Sequence, residues 1–180
     1  SLENKGVLKW RKLSKKINID REVISSSPFV FGQVMFSSRD RVMGSIVKGI
    51  QIDITSKKDF AEFISDGSLN KIRELRSQKK KGVILGSELA SKLMVEPGDT
   101  VRMISPIGKV TPLGLIPRTN NFHVAGIFKS GFYQYDAGLS FVSLQGAQEF
   151  FGLGSYVSGL HVRVSDIFLA EKISKRIKTE

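Results

Sequence analysis

The chain has 180 residues, 41 % of them hydrophobic, no cysteine, and 28 Lys plus Arg against 17 Asp plus Glu, a formal charge of +11. That length supports one substantial core or two subdomains sharing an interface. The missing cysteines exclude disulfides and thiolate metal sites, and no run of about 18 apolar residues is present to cross a bilayer. The positive excess fits a polyanionic neighbour, nucleic acid or anionic lipid, and equally a solvated basic surface. No apolar leader opens the chain, and its ends are compatible with a domain excised from a longer protein.

Leu8, Trp10, Leu13 and Ile17 recur at helical spacing among Lys9, Arg11, Lys12, Lys15 and Lys16, which predicts a basic amphipathic helix. Its apolar stripe suits docking on a sheet, with a membrane surface as the other reading. Val23 to Phe36, interrupted by Pro28 and Gly32, predicts one bent strand or two short ones. A hairpin turn at Ser38–Arg41 leads into a strand whose apolar face is Ile46, Ile50, Ile52 and Ile54. Short helices are expected around Phe60, Phe63 and Ile64, and again around Leu69, Ile72 and Leu75. The second ends in the basic run Arg76–Lys81, read as cations at the negative end of a helix dipole.

Gly82–Leu85 reads as a buried strand, and Ser87 as the cap of a helix bearing Leu89, Ala90, Leu93 and Met94. Thr100–Ile104 and Phe122–Phe128 alternate as half-buried strands around a long connection, 105–122. Pro106, Pro112 and Pro117, with Gly108 and Gly114, set that connection down as a stiff loop without a full sheet ladder. Loops of this length are uncommon in compact domains and are usually functional or disordered. After it come Gly131–Asp136, a strand Leu139–Val142, a helix from Leu144 to Phe151 capped by Ser143, an alternating strand at Leu160, Val162 and Val164, and a final helix bearing Ile167, Ala170, Ile173 and Ile177. About seven strands and six helices, not strictly alternating, define an α+β fold.

Catalytic signatures are sparse. Gly108-Lys109-Val110 lacks the spacing and hydroxyl of a phosphate-binding loop. His123 and His161 each sit on a predicted strand without a second imidazole at ligand spacing. No Gly-x-Ser-x-Gly elbow occurs. No cofactor or metal is implied, and Asp99 and Asp136 read as turn residues. Tyr133 and Tyr135 have two readings: an exposed aromatic patch for a partner, or side chains alternating toward a core with Asp136 ending the strand.

The residues Gly82–Leu93, Pro97–Val101, Ser105-Pro106, Thr111-Pro-Leu-Gly114, Pro117-Arg118, Val124–Phe128 and Tyr133–Asp136 occur in an order that resembles the extracytoplasmic domain of lipoprotein-releasing permeases, the LolC/LolE branch of the FtsX/MacB-like ABC superfamily. Pro28–Gln33 and the Leu144, Ala147, Gln148 positions fit as well, so the resemblance covers most of the chain. It implies a non-catalytic periplasmic domain of an inner-membrane permease. ATP hydrolysis belongs to a separate cytoplasmic ATPase, and the other partners are a second permease subunit, identical or paralogous, and a lipoprotein cargo. It also implies a mixed α/β Porter-like subdomain, here 1–36 with 137–180, and a mainly β Sabre-like subdomain, 37–136.

The loop 105–122 corresponds to a protruding hook that recruits a periplasmic lipoprotein carrier, which carries the partner-binding role onto Pro112, Leu113, Gly114, Ile116, Pro117 and Arg118. On the exposed reading, Tyr133 and Tyr135 would add a secondary surface. Two other readings stand beside this one: a basic nucleic-acid-binding domain, and a MacB- or FtsX-type permease domain with a different cargo or partner.

Overall fold

The computed structural model describes residues 6–52, 63–111 and 114–166. Among them are α1 (Trp10–Ile17), β1 (Val23–Ser38), β2 (Arg41–Ile50), α2 (Asp66–Ser77), β3 (Gly82–Gly86), α3 (Ser87–Leu93), β4 (Thr100–Thr111), β5 (Gly114–Phe128), α4 (Tyr133–Gly138), β6 (Leu139–Ser143), α5 (Leu144–Phe151) and β7 (Gly159–Val164). The strands form one mixed sheet in the order β2-β6-β3-β5-β4-β1-β7, and β1 also pairs with β2. Six strands therefore close into a ring, with β7 lying on the N-terminal half of β1. The β2–β6 and β3–β5 pairs are parallel and the others antiparallel. This is the mixed, sheet-rich architecture expected of an α+β chain.

Strand alternation sends apolar side chains to two faces, and each face builds its own core. On one face Val30, Val34, Phe36, Val47, Val83, Leu85, Val101, Met103, Phe122, Val124 and Val142 pack with Leu89, Ala90 and Leu93 of α3 and Ala147 and Phe150 of α5. On the other, Ile50, Ile52, Ile84, Ala125, Phe128 and Phe141 meet Leu69, Ile72 and Leu75 of α2. β3 is buried along its whole length, which is why Gly82–Gly86 has no polar alternation.

Several expectations hold. The β1–β2 hairpin turns at Arg39 and Asp40 between paired Ser38 and Arg41, with Arg39 at positive φ. Val23–Ser38 is one continuous strand. Helix α5 starts where Ser143 caps it, its hydroxyl accepting from the Gly146 amide at 3.0 Å. Helix α1 docks through buried Trp10 and Ile17, and the Ser14 and Ser26 hydroxyls of α1 and β1 lie 2.6 Å apart. Leu8 precedes the helix and is exposed.

Others are corrected. The strongly apolar face expected at Ile46, Ile50 and Ile52 is split. Ile50 and Ile52 are buried, whereas Ile46 is exposed, because the covering helix α2 packs over the other end of that face. Val47, on the opposite side, is fully buried against α5. Ser87 does not cap α3: Gly86 occupies the cap position and the buried Ser87 hydroxyl has no partner among the described residues. Phe63 and Ile64 sit in a turn rather than a helix. Phe60, Ile54 and the final helix at Ile167–Ile177 lie outside the described residues.

Candidate functional site

The connection 105–122 is where the sequence reading departs furthest from the structure. It is mostly strand: β4 continues to Thr111, and β5 begins at Gly114. Ser105 pairs with Arg118, and Lys109, Val110 and Thr111 pair with Ile116, Leu115 and Gly114. Between the two paired blocks Pro106, Ile107 and Gly108 face Pro117 alone, so the ladder is interrupted only there. Proline disrupts a ladder only where an N–H must be donated inward. Pro106 and Pro117 both fall in the interrupted stretch.

Beyond the Met35–Ser37 pairing of β1 with β4, and before the Gly82–Gly86 pairing of β3 with β5, residues 105–111 and 114–118 pair, among the described residues, only with one another. About six residues per side give an arm of roughly 20 Å. Three local features shape it. The buried Ser105 hydroxyl donates to the Ile107 carbonyl at 3.1 Å and accepts from the Ile107 amide at 3.2 Å, closing a tight turn at the base. A Cβ at Gly108 would fall onto the Ile116 carbonyl, so the two sides approach there as only glycine permits. Gly114 has φ +113°, a conformation that turns the chain back and disfavours any side chain.

Among the residues singled out in the arm, Ile116 is 53 % exposed and Pro117 is exposed. Arg118 belongs to the base instead: its guanidinium lies over Gly152, the left-handed C-cap of α5, where a cation complements the helix terminus. Pro112 and Leu113 lie outside the described residues. Ile107, 79 % exposed, was missed; a large aliphatic between Pro106 and Gly108, with no polar alternation to place it in a core, was the available signal.

Tyr133 and Tyr135 stand elsewhere. The reading in which both alternate toward a core is overturned, because Phe132–Gly138 turns into the short helix α4 and leaves the tyrosines 61 % and 56 % exposed. Asp136 is the buried member. It accepts from the Ser130 amide at 2.7 Å, the Ser130 hydroxyl at 2.8 Å and the Gly131 amide at 3.3 Å, as a turn residue should. Burial pushes its carboxyl up, but the Ser130 amide and hydroxyl, the Gly131 amide and the charge of Lys129 together hold it below its ordinary value. Lys92 donates to the Tyr133 hydroxyl at 2.8 Å, and Phe132 meets Tyr135 edge to face at 6.0 Å.

Beside Tyr135 a groove of ≈ 460 Å³ is lined by Phe29, Phe31, Ile46, Lys48 and Leu139. Lys48, above the Phe29 ring at 5.7 Å, has its pKa lowered by burial. The arm and this patch do not meet. α4 follows Phe128 at one end of β5, and the arm is the other end, about 30 Å of strand away. Among the described residues no group of three His, Asp or Glu is placed to hold a metal, and no helix is long and apolar enough to cross a membrane.

A closed mixed sheet with helices on both faces and a two-stranded arm defines the class, and the comparison with known families names it. Residues 5–180 match the MacB-like periplasmic core domain, and the chain belongs to that family. Over 157 residues it is 29 % identical to the lipoprotein-releasing system transmembrane protein LolC of Neisseria meningitidis serogroup B, a match covering 87 % of this chain and 37 % of that protein. A LolC protein of Xylella fastidiosa is 24 % identical over 159 residues, 88 % of this chain and 37 % of the relative. The chain thus spans little over a third of the LolC relatives it matches. The same fold occurs in the extracellular domain of the noncanonic ABC-type transporter YknZ from Gram-positive bacteria (TM-score 0.61, 12 % identity, 94 % of this chain and 79 % of that one). It occurs again in the periplasmic region of MacB from Actinobacillus actinomycetemcomitans (TM-score 0.54, 13 % identity, 94 % and 72 %).

Proposed function

We propose that this chain is the periplasmic domain of a lipoprotein-releasing ABC permease of the inner membrane, and that its 105–122 arm docks a periplasmic lipoprotein carrier. The observation that carries the docking role is the arm itself: among the described residues it pairs only with itself, with Ile107 and Ile116 turned to solvent. The names of the LolC relatives supply the transport class. The domain works without catalysis of its own. A separate cytoplasmic ATPase supplies the energy, a second permease subunit completes the pair, and lipoprotein is the cargo. In this reading the mixed part formed by 1–36 and 137–180 corresponds to the Porter-like subdomain, and 37–136 to the Sabre-like subdomain with its hook. Pro112, Leu113, Gly114, Ile116, Pro117 and Arg118 form or support the docking tip. Prolines lower the ordering cost of such a contact because the free arm is already stiff. Tyr133 and Tyr135 offer a second, distant surface. Family membership weighs against the nucleic-acid reading.

The test is binding of the domain to the lipoprotein carrier of the same organism, with wild type compared with Pro112→Gly plus Leu113→Asp and with Ile107→Asp plus Ile116→Asp. Saturable binding lost in both variants, with unchanged thermal melting, is the expected result. A wild-type domain that does not bind the carrier refutes carrier docking and turns the assignment toward a MacB- or FtsX-type permease with another partner.

A further inference from the structure

The basic run read from the sequence as a solvated helix end faces a cavity. Arg76, Lys79, Lys80 and Lys81 line a pocket of ≈ 300 Å³ together with Ser143, Gln145 and Gly146 from the start of α5. The only carboxylate in the lining is Glu149, and it is engaged: its Oε2 lies 3.9 Å from the Lys81 ammonium, and its Oε1 accepts from Gln145 at 2.9 Å. Gln145 in turn accepts from Arg76 at 2.5 Å. Lys79 and Lys80 have no side-chain partner among the described residues.

The backbone makes this concentration of charge more telling. Helix α2 ends with the Lys79 amide bonded to the Arg76 carbonyl and the Lys80 amide reaching back to the Leu75 carbonyl, which puts Lys79 in the left-handed region at φ 58°. Glycine is the residue that takes this position without steric cost. A lysine here bears that cost and adds a like charge beside Lys80 and Lys81, an arrangement that a bound anion would favour.

We propose that this pocket binds a phosphate group, held by the Arg76 guanidinium and the Lys79 and Lys80 ammonium groups, with the Gln145 amide fixing Arg76 in place. The shared chemistry is a phosphate oxyanion meeting charged donors. Its source is either a soluble phosphate or the headgroup of an anionic phospholipid.

The experiment is an amide chemical-shift titration of the 180-residue chain with inorganic phosphate, with ionic strength held constant by chloride so that general screening does not change. Saturable shifts confined to residues 76–82 and 143–149 are expected. Lys79→Gly is expected to weaken binding about tenfold, the loss of one charge-assisted hydrogen bond, while melting at the same or a higher temperature than wild type. Lys12→Gln plus Lys15→Gln, which removes two exposed charges from α1, should leave the affinity within about twofold. Shifts spread over every basic surface, or equal weakening by the α1 and pocket variants, would overturn the proposal.

Sedimentation with phosphatidylcholine vesicles with and without phosphatidylglycerol separates the sources. Vesicle binding that needs phosphatidylglycerol and is lost in Lys79→Gly identifies a lipid headgroup. Phosphate binding lost in that variant without any change in vesicle binding identifies a soluble phosphate.

Discussion

The body of the sheet and the arm that leaves it are made from the same two strands and are stabilised in different ways. Within the body, β4 and β5 turn one face into the core and are flanked by β1 and β3, so Val101, Met103, Phe122 and Val124 are each almost entirely buried while Thr100 and Arg102 face outward. From Ser105 outward they have only each other, and a lone two-stranded hairpin is at best marginally stable in water. Covalent continuity with a buried sheet, the serine turn at its base and two prolines in its interrupted stretch take over the role of a core. Under the proposed docking role, stability and recognition would fall to different halves of one hairpin.

The largest effect that separates the two halves should come from Phe150→Ala. Phe150 is buried where it meets Phe122 edge to face at 6.1 Å, and truncation should lower the unfolding free energy by about 3–5 kcal/mol in urea denaturation. Ile107→Asp plus Ile116→Asp should change it by no more than about 0.5 kcal/mol. A comparable loss in both would mean that the arm is part of the cooperative core.

Next in size is Asp136→Asn, which removes the charge that the Ser130 donors bind and sets an NH2 group against the Gly131 amide, and should cost about 1–3 kcal/mol. Because the folded carboxyl lies below its ordinary value, its contribution is fully present above the ordinary carboxylate range. It is lost as pH falls through the depressed folded value. The stability gap between wild type and Asp136→Asn should therefore close in acid; a gap independent of pH would contradict this account.

The smallest global effect is expected for Gly108→Ala. Pushing a Cβ onto the Ile116 carbonyl should speed amide hydrogen exchange across 105–118 while leaving the exchange of β3 unchanged.

Much of the fold was legible because periodicity maps directly onto burial. The stretches around Leu69, Ile72 and Leu75, Leu144 to Phe151, and Leu160 to Val164 all took the predicted element. What was not legible has specific causes. Pro106 and Pro117 argued against a sheet, yet a hairpin with no outer neighbours leaves those positions free of inward donation. Ile46 looked like a core residue from alternation, but which length of a strand is covered depends on where a helix from another part of the chain ends. Tyr133 and Tyr135 sat at strand spacing, but the Tyr135 and Asp136 amides bond back to the Phe132 carbonyl, and Asp136 anchors that turn to Ser130, so a short helix forms there instead. The position of the aromatic patch, at the far end of β5 from the arm, is a property of topology and had no local signal.

Strand β1 has a consequence of a mechanical kind. Its 16 residues are bonded on one edge to β2 and on the other to β7 and then β4, so at least one edge is paired along nearly its whole length, both at Phe29 and Met35–Ser37, and it sits where the ring of strands closes. Tension applied along its axis loads the rungs of these ladders together, in shear, whereas tension across it would open them one at a time like a zipper. Under the proposed transport role, a displacement imposed on the segment leading into Val23 would therefore reach β2, β4 and β7 together, not one rung at a time.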